Sequence, residues 1–600
     1  MVDGLYVTLK LRSSLNDTAE RLRAGKEAFQ NERFSEASED LRGAEGAASA
    51  AVAATRHPSF VIASYLPWIK ADIQAARALT TTAELTSRAG AEALVAVDSM
   101  SVSEEGLAAS LLREGKVDFD TLAEGAPHIR EVSELLATAV SELEEVPDPT
   151  SGALADVVDE VQAEVELALE TSEKGVTLLE NLPELLGETE PQTYLLAFQA
   201  LGETRGTGGL IGLYGVLRTH RGEIDLVEVG PTKAVLPEEI KDPAEAPSWF
   251  VENYGPQSSL VQFRQANLTP NFAVAARVLK DMYEKETGES LDGVIALDPV
   301  AVGYMTAGTG ALRAPGIPDK VGPDNADEIL LKRSYEEFDS DTAQSRYLSR
   351  LVEDFWQRIE DGELDERAFA EGLAEAALTQ HVKVYSSDPG LQDALNDLEV
   401  AGTFARHGPN IQMLFHNNYG RNKVDFFLYR TMETVIQLTS EGEARISTDV
   451  LLENSAPSEG SSILLGQGKD KGINRMQLSF LLPENSEVRN LTVDGEDRPA
   501  RRFDDTGFPV VYSFLDIPPG EQLRVSLEYE APANYFEDTY RLTLVPQTLT
   551  RPDNYSLLVK PPVGFRFQSV NGTGGSRESF EARGGLKRTL TYDFKLGKAD

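Results

Sequence analysis

The residues of this sequence that could carry chemistry begin with a polar loop between two apolar runs. The segment TYLLAFQALGETRGTGGLIGLYG, residues 193–215, places Arg205 among glycines that allow the backbone to approach a bound group closely. Polar groups on a loop at the end of a buried strand are candidates for a binding site, here Glu203, Arg205, Thr207, Gly208 and Gly209. The alternative is a structural hairpin in which Arg205 pairs with Glu203.

Further charges flank the elements predicted downstream of this loop. Arg277 lies on a predicted helix, Asp292 and Asp298 flank a predicted strand, and Lys332, Arg333 and Arg346 precede or open a later helix. Arginine forks match phosphate oxygens, and an aspartate can hold a divalent metal such as Mg²⁺ on a pyrophosphate. Gathered at one end of a sheet, these residues would form an anion site. The alternative is that the arginines are solvated helix residues and that Asp298 only caps a helix.

Several classes of catalytic site are excluded by what the sequence lacks. It contains no cysteine, which removes disulfide scaffolds, thiolate zinc sites and cysteine nucleophiles. The six histidines are dispersed, so a zinc site or a histidine-based triad is not predicted. No P-loop, G-x-S-x-G or H-E-x-x-H motif occurs.

The charge balance restricts the partners. Asp and Glu number 98 against 56 Lys and Arg, so the net charge is -42 and nucleic acid is a poor partner. No apolar run approaches the roughly 20 residues that span a bilayer. Either the protein is soluble or its anchor lies outside this chain.

The hydrophobic patterning predicts a multidomain α+β protein with three regions. Residues 1–190 are rich in Ala, Glu and Leu at helical spacing and predict a helical bundle or stalk, divided by prolines that include Pro127. Residues 191–404 alternate strands with helices and predict a central α/β domain. Residues 405–600 show short alternating segments between turn residues and predict a β-sandwich.

Local signals place the elements of the last two regions. The central region has a predicted hairpin at 193–217, a strand near 224–227, a loop-rich insertion at 231–265, and strands at 291–297 and 382–385. Thr269-Pro270 and Asp298-Pro299 begin predicted helices, and further helices are expected at 341–359, 369–378 and 391–398. Predicted strands of the third region include 426–429, 434–438, 444–451, 476–480 and 523–529.

Four blocks in this order resemble a bacterial family described as domain of unknown function 4012. They are residues 193–215, NLTPNFAVAARVL, LDGVIALDPVAVGYMTAGTGAL and NNYGRNKVDFFLYR. Members of that family usually carry a transmembrane helix just before the helical region. The resemblance therefore implies an extracytoplasmic protein at the cell surface, held to the membrane by an anchor that this chain does not contain.

The central region is also similar, more distantly, to the LytR-CpsA-Psr phosphotransferases. That resemblance implies transfer or binding of a polyprenyl-pyrophosphate-linked glycopolymer. Arg205 and Asp298 would be catalytic, Arg346 would be a second phosphate clamp, and Asp298 or Asp292 would hold Mg²⁺. Glu203, Thr207, Gly208, Gly209 and Arg277 complete the candidate ligand-binding residues.

A second hypothesis comes from where the sequence departs from those enzymes. The helix predicted at 341–359 carries only Arg346 and Arg350 near its start, fewer arginines than the transferases have. A non-catalytic surface or assembly protein, binding partners through its β-sandwich and helical regions, would have this pattern. Geometry separates the hypotheses, because transfer needs Arg205, Arg277 and Arg346 on one face of the domain.

Overall fold

The computed structural model describes residues 2–31, 33–100, 112–113, 116–147, 149–338, 340–362, 364–404, 407–535, 538–571 and 573–598. The chain is mixed α/β and divides into two compact units. A helical unit comes mostly from residues before Pro183, and a mixed unit mostly from residues after Glu184. The boundary predicted at 404/405 falls inside the mixed unit, so the central and C-terminal regions form one compact body.

The helical unit is held together by small side chains. Ala37, Ala44, Ala48 and Ala51 are fully buried at helical spacing, which lets neighbouring helices approach closely. A second cluster joins three helices through Leu79, Leu143 and Val158. The helices are α1 (Val2–Gln30), α2 (Phe34–Thr55), α3 (Pro58–Ala63), α4 (Lys70–Ser99), α5 (Phe119–Glu144) and α6 (Gly152–Leu185).

The helix break predicted at Pro127 is wrong, because α5 runs through that residue. An interior proline costs a helix about 3 kcal/mol. Val132, Leu136 and Ala139 of the same helix are buried against Ala89 and Val165, and this packing outweighs the cost.

A five-stranded mixed sheet forms the centre of the mixed unit. Its order is β5-β4-β3-β6-β7, with β3 and β6 parallel and the other pairs antiparallel. The predicted hairpin and strands are confirmed, with the hairpin longer than expected. The strands are β3 (Gln192–Arg205), β4 (Gly208–His220), β5 (Glu223–Pro231), β6 (Gly293–Leu297) and β7 (Val382–Ser386), after two short strands, β1 (Leu112–Arg113) and β2 (Lys116–Val117).

Helices cover both faces of this sheet. The predicted helices are confirmed within a few residues, and the insertion at 231–265 packs Leu236, Phe250 and Phe263 onto the core of one face. The main helices are α7 (Phe272–Thr287), α8 (Pro299–Thr309), α9 (Asp341–Glu360), α10 (Glu366–Leu378) and α11 (Pro389–Asp397). Short helical segments are Thr232–Val235, Ser248–Tyr254, Gly255–Gln257, Phe263–Gln265, Ala326–Glu328, Ile329–Arg333 and Ser334–Glu337.

Strand alternation assigns these helices to opposite faces. Leu195 and Ala197 of β3 face a core that contains Phe272 and Leu279 of α7. Tyr194 and Leu196 point the other way, toward a cluster that contains Trp356 of α9. α7 and α9 therefore lie on different sides of the sheet.

The C-terminal β region contains two mixed sheets whose inner faces meet. One has the order β13-β12-β16-β10-β9-β18-β21, and the other contains β14-β15-β11-β8-β17-β22-β19. Tyr555 of the first sheet hydrogen-bonds Tyr592 of the second at 2.8 Å, and Phe580 and Phe594 pack 5.3 Å apart. The predicted strand at 426–429 is wrong in its first half, where Val424–Phe427 is a 3₁₀ turn.

The C-terminal strands have the following bounds: β8 (Ile411–Asn418), β9 (Leu428–Leu438), β10 (Glu443–Asn454), β11 (Asn474–Leu481), β12 (Glu487–Val493), β13 (Glu496–Asp497), β14 (Arg501–Asp505), β15 (Phe508–Ile517), β16 (Gln522–Pro532), β17 (Thr539–Val545), β18 (Asp553–Lys560), β19 (Phe565–Val570), β20 (Thr573–Arg577), β21 (Phe580–Leu586) and β22 (Leu590–Lys598). Two short helical segments, Ser462–Leu465 and Gly468–Asp470, lie among them. Across the described residues, none of the helices combines the length and apolarity of a membrane-spanning segment.

Candidate functional site

The glycine loop is a two-residue connection pressed against neighbouring backbone. Only Gly206 and Thr207 separate β3 from β4. A Cβ atom on Gly206 would lie 2.3 Å from the carbonyl oxygen of Thr269 and 2.4 Å from that of Leu268. The amide of Gly206 donates to Oδ1 of Asn417 at 2.9 Å. Glycine is therefore needed here for packing against the rest of the fold.

Arg205 is buried and has its hydrogen bonds satisfied within the protein. Its side chain is 3% exposed. Nε donates to Gln265 at 3.1 Å, Nη1 donates to the carbonyl oxygens of Thr204 at 3.0 Å and Asn418 at 3.2 Å, and Nη2 donates to Glu203 at 3.1 Å. Four of its five N–H groups are thus engaged. The ion pair with Glu203, proposed from sequence as the structural alternative, is confirmed.

Glu203 joins this arginine to a second buried cation. Its other carboxylate oxygen accepts a hydrogen bond from Nζ of Lys423, which also lies 5.8 Å from the ring centroid of Tyr335. Burial alone would raise the pKa of Glu203, but Lys423 and Arg205 outweigh it and the pKa is lowered. Burial would lower the pKa of Lys423, but Glu203 raises it above its usual value. Glu203 and Lys423 are therefore held in their charged forms.

Asp425, in the 3₁₀ turn Val424–Phe427, adds a second carboxylate beside Thr204, the residue that follows Glu203 on β3. It accepts hydrogen bonds from the amide of Thr204 at 2.8 Å and from the side chains of Asn418 and Asn474, both at 2.9 Å. Nε2 of His416 lies 3.5 Å from the same carboxylate. Burial would raise the pKa of Asp425, but His416 and these donors lower it. We call Glu203, Arg205, Lys423 and Asp425 the Arg205 cluster.

Residues of the C-terminal β region form hydrogen bonds with this cluster. Gln547 donates to the carbonyl oxygen of Arg205 at 3.0 Å and accepts from Arg430 at 2.9 Å. Arg430 also donates to Nδ1 of His416 at 2.8 Å and forms a bidentate pair with Asp553 at 2.6 Å. Because guanidinium only donates, Nδ1 of His416 accepts, and the ring proton belongs on Nε2 facing Asp425.

The other candidate ligand-binding residues of the loop also bond within the fold. The hydroxyl of Thr207 accepts from Gln199 and Asn267, both at 3.2 Å. The amide of Gly209 donates to Gln199 at 3.3 Å, and its carbonyl accepts from Asn267 at 2.9 Å. A Cβ on Gly208 would meet the Gln199 side chain at 2.0 Å. These hydrogen bonds fix the hairpin.

A second buried polar cluster is centred on the carboxylate of Asp505. Asp505, at the end of β14, accepts from Tyr254 at 2.7 Å, Thr269 at 2.9 Å and Thr506 at 2.7 Å. These donors are hydroxyls, and burial raises the pKa of Asp505 above its usual value despite them. We call these four residues the Asp505 cluster. It ties the NLTPN segment to the edge of the C-terminal β region.

The two candidate metal ligands stand at opposite ends of β6. Asp292 precedes the strand and accepts from the amide of Thr193 at 2.7 Å, whereas Asp298 follows it. Six residues of strand separate carboxylates by about 20 Å, so these two do not meet at one ion. Among the described residues, no group of three or more His, Asp or Glu side chains is arranged to hold a metal.

Asp298 has two internal partners. Oδ1 accepts from the amides of Val300 and Ala301, which confirms the helix-capping alternative, and Oδ2 lies 2.6 Å from Nδ1 of His381. Both side chains are largely buried, at 2% and 10% exposure. This aspartate–histidine pair was not predicted, because His381 is distant in sequence and has no motif around it.

The remaining arginines do not join Arg205. Arg277 is exposed on α7 and Arg346 is exposed on α9, and those helices cover opposite faces of the sheet. Arg333 pairs with Asp319 at 2.6 Å, and Lys332 pairs with Glu328 at 3.3 Å. The interpretation of these side chains as helix-surface residues is the one that the geometry favours.

One narrow cleft does border the glycine loop. Gly206 and Thr207 line it together with Lys383, His407 and Thr548, and its volume is about 30 Å³. Lys383 donates to Thr548 at 2.7 Å and to the carbonyl oxygen of Gln380. Burial lowers the pKa of Lys383 to about 8, and burial also lowers the pKa of His407. A cavity of this size holds one or two water molecules.

Comparison with known proteins identifies one family and no functional relative. Residues 189–335 match the family model described as "Protein of unknown function (DUF4012)", and this confirms the predicted resemblance over those residues. No curated protein matches the chain.

Matches to solved structures are partial and weak. An M1 zinc metallopeptidase from Deinococcus radiodurans shares 10% identity over 28% of this chain and 42% of that chain, with a TM-score of 0.18. Leukotriene A4 hydrolase from Saccharomyces cerevisiae shares 10% identity over 28% of this chain and 29% of its own, also with a TM-score of 0.18. The chain thus spans less than half the length of these structures, and overlaps of this quality carry no argument about function.

Proposed function

We propose, for a chain whose residues 189–335 belong to the DUF4012 family, a non-catalytic structural or assembly role at the outer cell surface. The central sheet and the C-terminal β region would act as one scaffold. Its outer faces and the helical unit would bind partners. The surface location is what the family resemblance implies, and protection from protease added to intact cells of the source organism would contradict it.

The observation that carries this proposal is the internal satisfaction of Arg205. Its guanidinium donates to Glu203, Gln265 and two backbone carbonyls and is almost fully buried. Binding a pyrophosphate would require these bonds to break and a buried carboxylate to lose one of its two cationic partners. That cost is several kcal/mol. An arginine placed in this way stabilises the scaffold.

The dispersion of the other candidates supports the same role. Arg277 and Arg346 lie on opposite faces of the sheet, and Asp292 and Asp298 lie at opposite ends of β6. Transition-state stabilisation of phosphoryl transfer needs cations and metal converging on one group. These residues do not converge.

The second candidate function is binding or transfer of a polyprenyl-pyrophosphate-linked glycopolymer. It is favoured by the cleft beside Gly206 and Thr207, which Lys383 and His407 also line. The ammonium group of Lys383 is suited to an anion. At about 30 Å³ the cleft admits water, so a pyrophosphate would need it to open.

The two functions are separated by titrating the chain with a polyprenyl-pyrophosphate analogue, with and without Mg²⁺, in a calorimeter. The scaffold proposal expects no saturable binding. Magnesium-dependent binding that is lost in Lys383→Met, or in the exposed variants Arg277→Ala and Arg346→Ala, would overturn it. Arg218→Ala, exposed on β4, is the matched control for a general loss of positive charge.

A further inference from the structure

The connection between α2 and α4 exposes a cluster of large apolar side chains. Tyr65 is 81% exposed, Ile62 69%, Trp68 67%, Val61 40% and Leu66 37%. We call these five residues the apolar tip. They come from eight consecutive positions, and only Phe60 beside them turns inward, to pack with Leu11, Ala51 and Ala54. Scattered exposed apolar residues are ordinary, but a contiguous group of this kind marks an interaction site.

The backbone under the apolar tip is held in place. Pro58 begins α3, and the ring of His57 accepts from the amide of Ser59 at 3.4 Å. The amides of Tyr65 and Leu66 donate back to Ile62 and Ala63, at 3.3 and 3.0 Å, and the carbonyl of Trp68 accepts from Thr150 at 3.4 Å. The side chains therefore project from an ordered turn.

The charges around the tip differ from those of the rest of the chain. No acidic residue occurs between Glu45 and Asp72, although the whole chain has a net charge of -42. Arg56, His57 and Lys70 flank the tip and are exposed. Asp72 is engaged by the hydroxyl of Thr150 at 2.6 Å and the amide of Ser151 at 3.1 Å.

We propose that the apolar tip inserts into the interfacial region of a lipid bilayer, with Arg56 and Lys70 against anionic head groups. Tyr and Trp are favoured at this depth because their rings are apolar and their N–H or O–H groups remain hydrated. A convex turn with side chains this exposed suits a soft surface better than a preformed groove. This inference rests on residues of the helical unit alone and does not depend on whether the mixed unit is catalytic.

The size of the tip argues against a second copy of the chain as its occupant. The exposed fractions correspond to roughly 600 Å² of side-chain surface, whereas a stable dimer buries about 800 Å² on each partner.

Acidic residues also lie at this end of the helical unit. Glu144 and Glu145 end α5, whose Leu143 packs with Leu79 of α4. Apolar insertion should therefore contribute more to binding than head-group charge.

The test is co-sedimentation of the full chain with phosphatidylcholine vesicles, with and without 30% (about one lipid in three) phosphatidylglycerol. We expect binding to both vesicle types, and tryptophan quenching by lipids brominated on the acyl chain. Tyr65→Ser/Trp68→Ser should weaken binding at least tenfold and abolish quenching. Arg56→Ser/Lys70→Ser should weaken binding only to the anionic vesicles, by a few-fold. Val563→Ser, at a 94% exposed residue of the mixed unit, is the matched control.

Each other result overturns the proposal. These results are vesicle binding that survives in Tyr65→Ser/Trp68→Ser, no vesicle binding by the wild-type chain, and lipid-independent self-association that the double variant abolishes. The last result would assign the tip to a second copy. Because the substituted residues are exposed, circular dichroism should show the same folded state in every variant.

Discussion

The Arg205 and Asp505 clusters join the same two parts of the molecule, the central region and the C-terminal β region, in chemically different ways. In the Arg205 cluster, two carboxylates meet Arg205, Lys423 and the ring of His416, and the pKa values of both carboxylates are lowered. In the Asp505 cluster one carboxylate meets only hydroxyls, and its pKa is raised by burial. Burial is common to both, so the partners decide the direction of the shift: the cations Lys423 and Arg205 for Glu203, and His416 with amide donors for Asp425.

This difference separates two ways of tolerating a buried carboxylate. Where cations are present, the charged form is the stable one and loss of a partner leaves an unpaired charge. Where only hydroxyls are present, the neutral form is favoured, and the contact resembles an ordinary polar core. Sequence motifs that include Arg and Asp can thus serve internal packing without any ligand.

The largest loss of stability is expected from removing a cation of the Arg205 cluster. Arg205→Ala removes four hydrogen bonds and leaves Glu203 with Lys423 alone. Loss of one partner from a buried ion pair costs about 3–5 kcal/mol in the free energy of unfolding. Urea denaturation of Arg205→Ala measures it, with Arg277→Ala at an exposed position as the control. A loss below about 1 kcal/mol would show that Arg205 is not structural.

The next prediction replaces one carboxylate oxygen with an amide nitrogen in each of the two clusters. Asp425→Asn turns an amide NH₂ toward donors from Thr204, Asn418 and Asn474, and should cost about 3 kcal/mol at pH 7. Asp505→Asn faces hydroxyls that can rotate to accept instead of donate, and should cost about 1 kcal/mol or less. Equal losses in the two variants, measured by urea denaturation, would contradict the proposed difference between fixed N–H donors and rotatable hydroxyls.

A smaller loss of stability is expected from adding a methyl group at Gly206 of the glycine loop. Gly206→Ala would place Cβ 2.3 Å from the backbone oxygen of Thr269 and should cost about 1–3 kcal/mol by overpacking. Gly212→Ala on β4 is the matched control, because the nearest atom to its Cβ would be 4.0 Å away. If both variants unfold at the same urea concentration, the close approach at Gly206 is not a constraint.

The smallest and sharpest test is the pH dependence of the two Asn variants. Asp425 has a lowered folded pKa, so its stabilisation is present above the unfolded value near 3.8 and is lost as pH falls through the folded pKa. The deficit of Asp425→Asn relative to wild type should therefore be greatest at neutral pH and shrink below about pH 4.

Asp505 behaves in the opposite sense. Its folded pKa is raised, so its stabilisation is present below 3.8 and is lost as pH rises through the folded value. The deficit of Asp505→Asn should be greatest in acid and shrink toward pH 7. Denaturation from pH 3 to pH 8 measures both, and parallel curves would remove the distinction between the clusters.

The sequence predicted the central sheet well because its signals are local. Asp298-Pro299 begins α8, Gly288 ends α7 in a left-handed conformation, and the hairpin follows its apolar runs. The pairing of Arg205 with Glu203 was also within reach, since the residues are two apart.

The partners that decide the site were not predictable in the same way. Asn417 meets Gly206 across 211 residues, and Asp425 meets Thr204 across 221. β8 is buried along its whole length, including His416, Asn417 and Asn418, so it lacks the alternation that marks a half-buried strand. No strand was predicted there, because the partners of its polar residues lie in another region of the chain.

The large sequence separation between Gln547 and Arg205 has a consequence for folding during synthesis of the chain. It caps the backbone of Arg205 from 342 residues further along the chain. At translation rates of about 5–20 residues per second, Gln547 appears roughly 20–70 s after Arg205. Throughout that interval the carbonyl group of Arg205 must remain hydrated or be shielded by a chaperone. Docking of the C-terminal β region onto the central sheet is therefore expected to come late in the maturation of this protein.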